Sequence, residues 1–168
     1  NITLISMAVI AGAIFVLAPW LTVALAPGFD PDKRELTAHL TQIMLLSPLL
    51  FGASSIAGAM LNAYHRFVAY ALAPILYNLG IIFGVLVLVP RFGIAGVAYG
   101  VVVGAVVHFL VQFVALTRTG YRYRFRLKFD RALKRVFSLM LPRTAALGVL
   151  QINLLVETVI ASTLAVGS

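Results

Sequence analysis

The chain has 168 residues, 62% of them hydrophobic and 11% charged, with a mean hydropathy of +1.04. Soluble domains are about 45–50% apolar and about 25% charged, so there are too few charges here to cover a globular surface. Thirteen Lys and Arg against five Asp and Glu give a net charge of +8. A chain without a soluble body is a poor carrier for a nucleic-acid patch, and the anionic partner left is the bilayer, whose acidic head groups attract juxtamembrane cations.

In chain order, five apolar segments follow one another: Ile2–Ala26, Leu36–Leu61, Val68–Val89, Ile94–Leu116 and Val136–Ala165. Each can cross a hydrocarbon core, which takes about 20 helical residues. Lipid offers the backbone no hydrogen-bond partners, so each must be a helix. Membrane strands would alternate over about ten residues, and these runs are continuous. The expectation is an all-α, polytopic transmembrane bundle with five helices. Turn chemistry separates them: Pro27-Gly28-Phe29-Asp30-Pro31-Asp32 closes the first, and Pro90-Arg91-Phe92-Gly93 closes the third. The fourth connection, Thr117 to Arg135, is long and basic.

Charge sets the orientation. The second and fourth connections hold Arg66, Arg118, Arg122, Arg124, Arg126, Lys128, Arg131, Lys134 and Arg135, whereas the first and third hold only Lys33, Arg34 and Arg91. The basic connections are therefore expected in the cytoplasm, and the first helix runs outward. The chain begins at Asn1 without a leader pattern and stops soon after an apolar run. It reads as one membrane-embedded piece, 1–168, of a longer protein.

Within the segments, Pro19, Pro48 and Pro142 are interior, with Pro74 near the start of another; bundle kinks and functional hinges are both open readings. Gly96, Gly100 and Gly104 stand one turn apart and predict close helix packing. Ser54, Ser55 and Gly58 have the same character. Polar groups deep in lipid are costly unless paired or wet. Asn78 and His108 are two, and the last helix carries Gln151, Asn153, Glu157, Thr158 and Ser162. At 100° per residue Asn153 and Glu157 share one face, while Gln151, Thr158 and Ser162 form another. A helix with two polar stripes is expected to line a cavity or lie between helices. Three roles are open to Glu157: a protonated buried acid, a partner for a cation, or a carrier of a coupling ion (Na+ or a proton). The run Tyr121 to Phe129 alternates aromatic or aliphatic residues with cations, which suits Arg122, Arg124, Arg126 and Lys128 to lipid phosphates. No spacing for a metal site, phosphate loop or nucleophilic triad is present, so no cofactor is expected and transport is favoured over catalysis.

Several stretches resemble a known family. Leu25-Ala26-Pro27-Gly28-Phe29, Asn62-Ala63-Tyr64-His65-Arg66-Phe67, Ala71-Leu72-Ala73-Pro74-Ile75-Leu76-Tyr77-Asn78-Leu79-Gly80, Met140-Leu141-Pro142 and Gln151 to Thr158 are, in this order, similar to the MurJ (MviN) lipid II flippases of the multidrug/oligosaccharidyl-lipid/polysaccharide exporter superfamily. The resemblance implies helices three to seven of about fourteen, in a multi-pass protein of the bacterial inner membrane. It implies alternating access that carries lipid II, or a similar lipid-linked precursor, to the outer leaflet, alongside cell-wall synthesis proteins. On this chain it points to Glu157, with Asn153 and Thr158, as the ion-coupling group, with Na+ as a candidate ion. Gln151, Asn78 and Arg143 are candidates for the substrate path. Arg143 departs from the family's small or apolar residue, and either snorkels to the interface or adds charge to the inner mouth. A related exporter of other lipid-linked saccharides, drugs or cations, and a membrane scaffold without transport, are the alternatives.

Overall fold

The computed structural model describes residues 2–121 and 131–163. Every regular element among them is helical: α1 (Ile2–Leu25), α2 (Pro31–Met44), α3 (Leu46–Ala63), α4 (Phe67–Phe83), a π-helical turn (Gly84–Leu88), α5 (Val89–Phe92), α6 (Ala95–Thr117) and α7 (Arg131–Thr163). Five stretches are long and apolar enough to span a membrane: Ile2–Leu25, Pro31–Ala63, Phe67–Phe92, Ala95–Thr117 and Lys134–Thr163. They fall where the five apolar segments predict them, in a multi-pass membrane protein. The chain forms two compact units, Asn1–Val16 with His39–Phe125 and Leu17–Ala38 with Arg126–Ser168.

The second span departs from the expected single helix over Leu36–Leu61. It starts at Pro31, because Asp30 is a strong N-cap: its Oδ1 accepts the Lys33 N–H at 2.9 Å, and Pro31 occupies the first helical position, where a missing N–H costs nothing. The Lys33 backbone N–H is the chief cause that holds the Asp30 carboxyl below its ordinary value, with the nearby Lys33 ammonium acting in the same direction. The folded value lies below the unfolded one, so this contribution is complete above the ordinary carboxylate range and is lost as pH falls through the folded value. Amide exchange in the first turn of α2, corrected for intrinsic rate, is expected to quicken on that acid limb. In Asp30→Asn the cap remains and the acid dependence disappears.

The same span breaks at Leu45, between α2 and α3. Pro48 is the cause, and it lies in the first turn of α3 rather than inside a helix as expected. Its ring removes the bond to the Met44 carbonyl and crowds that group. Pro74, by contrast, is well inside α4, and Pro19 and Pro142 are inside α1 and α7. The third span also runs past its expected end at Val89. Pro90 follows directly on the π-helical turn, at the start of α5, and Gly93 ends the helix with φ of 60°. The last helix starts at Arg131, ahead of the expected Val136.

Pro19 leaves the Phe15 carbonyl without its helical donor, and Gln42 Nε2 from α2 supplies one at 3.0 Å. This repair of a proline gap from a neighbouring helix is what keeps such a residue tolerable in lipid. Gln42→Leu is expected to cost about 1 kcal/mol, the usual worth of a hydrogen bond between membrane helices, read as a lower midpoint of unfolding in detergent.

The core of the first unit is the seam between α4 and α6. Gly96, Gly100 and Gly104 pack against their own chain, as the spacing predicts, and the facing residues are Leu88, Gly84, Gly80 and Tyr77. A Cβ on Gly100 would stand 2.5 Å from the Gly84 Cα and one on Gly104 would stand 2.5 Å from the Tyr77 carbonyl oxygen. The two backbones therefore touch, with no room for a methyl group, in the manner of small-residue membrane packing. Helix α3 also packs on α6, through Ala57, Leu61 and Leu116, and meets α4 where the Phe51 and Tyr77 rings stand edge-on with centroids 4.9 Å apart.

Helix α3 ends in a Schellman motif. Arg66 N–H bonds the Leu61 carbonyl at 2.8 Å and His65 N–H bonds that of Asn62 at 3.1 Å. The residue that must turn left-handed is His65, at φ 54°. Glycine is usual there, and an L residue costs about 1–2 kcal/mol.

Candidate functional site

Two clusters of polar side chains stand out within the spans among the described residues. The first is on α7, in the second unit. Helical geometry brings Asn153 and Glu157 together, and Asn153 Nδ2 donates to Glu157 Oε1 at 2.9 Å. Among the described residues the Asn153 side-chain amide oxygen and the other carboxylate oxygen have no hydrogen-bond partner. Thr158 belongs to the other polar stripe of the helix, its hydroxyl donating to the Leu154 carbonyl at 2.7 Å. Gln151 and Arg143 are exposed on the same helix. At the end of the second stripe, Ser162 Oγ accepts from the Gly28 N–H at 3.4 Å. The Pro27–Asp30 turn thus docks on α7, and only glycine fits, since a Cβ at position 28 would overlap the Ser162 carbonyl.

The second group is in the first unit, between α3 and α6. Ser54 is fully buried and its Oγ shares a hydrogen bond of 2.8 Å with His108 Nδ1. The imidazole stands edge-on to Phe51 and Tyr77, with centroids 5.0 and 6.5 Å away. One turn on, Gln112 is buried, and its Oε1 has no hydrogen-bond partner among the described residues. A Cβ on Gly58 would come within 2.9 Å of that oxygen. Gln112 was not anticipated, although its place four residues after His108 in an apolar run is a readable signal. Asn78, expected on the substrate path, is also in this unit, where its Nδ2 donates to the Pro74 carbonyl at 3.0 Å. That bond is to its own helix, and among the described residues Asn78 makes no hydrogen bond to the Ser54–His108 pair or Gln112. The expected lipid contacts Arg122, Arg124, Arg126 and Lys128 lie outside the described residues.

The buried Ser54–His108 pair can fix the register of two helices. The α7 group can do more, because it pairs an ionisable carboxylate with an amide on one face of the helix, with the Thr158 hydroxyl on the neighbouring stripe.

Comparison with known proteins bears on the whole chain. A family model described as lipid II flippase MurJ matches residues 1–168. The lipid II flippase MurJ of Burkholderia cenocepacia is 32% identical over 160 residues, covering 90% of this chain and 31% of that protein. A probable lipid II flippase MurJ of Rhizobium meliloti is 33% identical, over 82% of this chain and 27% of the relative. One from Synechocystis is also 33% identical, over 77% and 27% respectively. The chain thus spans less than a third of the length of these relatives. With five spans in the expected places and a family match from end to end, the chain belongs to the lipid II flippase MurJ family.

Proposed function

We propose that the protein carrying this chain moves lipid II from the cytoplasmic to the outer leaflet of the bacterial inner membrane by alternating access. The observation that carries this reading is the family match over residues 1–168. The work is transport, without bond chemistry on the cargo. In this reading α7 supplies the coupling element. Glu157, Asn153 and Thr158 offer carboxylate, amide and hydroxyl oxygens, the donor types that a hard cation such as Na+ takes, and Glu157 could equally carry a proton. Gln151 and Arg143, on the same helix, face the cargo path, with Arg143 adding a cation suited to a pyrophosphate.

The test uses the full-length protein in a bacterium depleted of its own lipid II flippase. Restored appearance of lipid II in the outer leaflet is the expected result. No restoration at a normal membrane level of the protein would overturn the reading and favour a different lipid-linked cargo.

A further inference from the structure

We propose that a groove between the start of α4 and the end of α6 holds an anionic glycerophospholipid of the cytoplasmic leaflet, with its phosphate between Arg66 and Arg118. The inference is independent of the transported cargo. The groove has a volume of about 700 Å³, within the range of ligand sites. Its wall is apolar, built from Leu72 on α4 and Leu110, Val111 and Val114 on α6, and its rim carries His65, Arg66 and Arg118.

Charge is what selects the occupant. No Asp or Glu lines the groove, and neither arginine forms an ion pair among the described residues. Arg66 is at the N-cap of α4 and provides no side-chain cap, so its cation adds to the positive end of that helix. Two guanidinium groups over an apolar channel match a ligand with one phosphate and a hydrocarbon tail, since each guanidinium can grip phosphate oxygens in a two-pronged bond. A protein helix in the same place would need acidic residues at its end. His65 supplies the second observation. It takes the left-handed position of the Schellman motif, where glycine is cheaper, and its ring stands edge-on to Phe67 with centroids 5.9 Å apart. The strain fixes an imidazole at the rim, and strain of that kind clusters at ligand clamps. Both arginines flank the basic connections, which the positive-inside rule assigns to the cytoplasm, the leaflet rich in acidic lipids.

The experiment places the full-length protein in nanodiscs that contain phosphatidylglycerol with a diazirine in its acyl chain, or the matching phosphatidylcholine. Photolabelling and peptide mapping are expected to mark the segments holding Leu72 and Leu110–Val114 with the phosphatidylglycerol probe. Arg66→Gln and Arg118→Gln should each lower that label about fivefold, the worth of one basic residue near a membrane surface, while Arg→Lys at both positions keeps most of it. Equal labelling by the two probes would overturn the proposal, as would labelling unchanged in the double Gln variant. Absence of label from both segments would also overturn it, because another part of the full-length protein then fills the groove.

Discussion

Gly100→Val is expected to unseat α6 from α4 and destabilise the full-length protein by more than about 3 kcal/mol, at the upper end of overpacking costs. The reason is the nature of the obstacle. The added carbon would meet the Gly84 Cα at 2.5 Å and the Gly80 carbonyl oxygen at 3.0 Å, and backbone atoms cannot rotate away as a side chain can. Even Gly100→Ala should destabilise. That sign is diagnostic, because Gly→Ala within a helix ordinarily stabilises by about 0.5–1 kcal/mol. Gly12→Ala and Gly148→Ala, where a Cβ meets nothing within 4 Å, are the controls. Thermal unfolding in detergent reads all four variants, and a neutral Gly100→Ala would show that the backbones do not touch.

Glu157→Gln should lower lipid II translocation by the full-length protein about tenfold to a hundredfold, the worth of one bond to a charged group, with its membrane level unchanged. The substitution is chosen for what it keeps. A glutamine oxygen can still accept from Asn153 Nδ2, now at 2.9 Å, so the pair survives and only the charge is lost. Asn153→Leu removes the bond and keeps the charge, and should cost less. If Na+ is the coupling ion, replacing it with a larger cation lowers transport in the parent and has little further effect in Glu157→Gln. Full transport by Glu157→Gln would make the carboxylate a structural group.

The five spans were readable from the residues because length and continuous hydropathy are sufficient signals in lipid. The Asn153–Glu157 pair was readable for a similar reason, since four residues along one helix set it without help from any neighbour. What escaped depends on contacts made far along the chain. Gly96, Gly100 and Gly104 announce a close approach, yet nothing local ties them to Gly80 and Gly84, which carry the same four-residue spacing and meet Gly100 and Gly104 only where the two helices pack. Gln42 carries no pattern in the sequence that ties it to α1. Only its approach to Phe15 reveals it as the donor that Pro19 removed. The break at Leu45 followed from Pro48, whose effect falls four residues upstream of itself.

The π-helical turn at Gly84–Leu88 has a bearing on chain length. Such a turn is an α-turn with one residue inserted, the surplus absorbed as a local bulge. In an α-helix a step of four residues overshoots a full turn by about 40°, so Gly80, Gly84 and Leu88 would wind away from a straight partner. The wider turn reverses that drift, and the Leu88 carbonyl still meets Gly96. It follows that a shorter homologue lacking one residue between Gly84 and Leu88 can keep Val89–Phe92 in register with α6. An insertion or deletion on α6 between Gly96 and Gly104 has no such slack, and would turn the seam itself out of alignment.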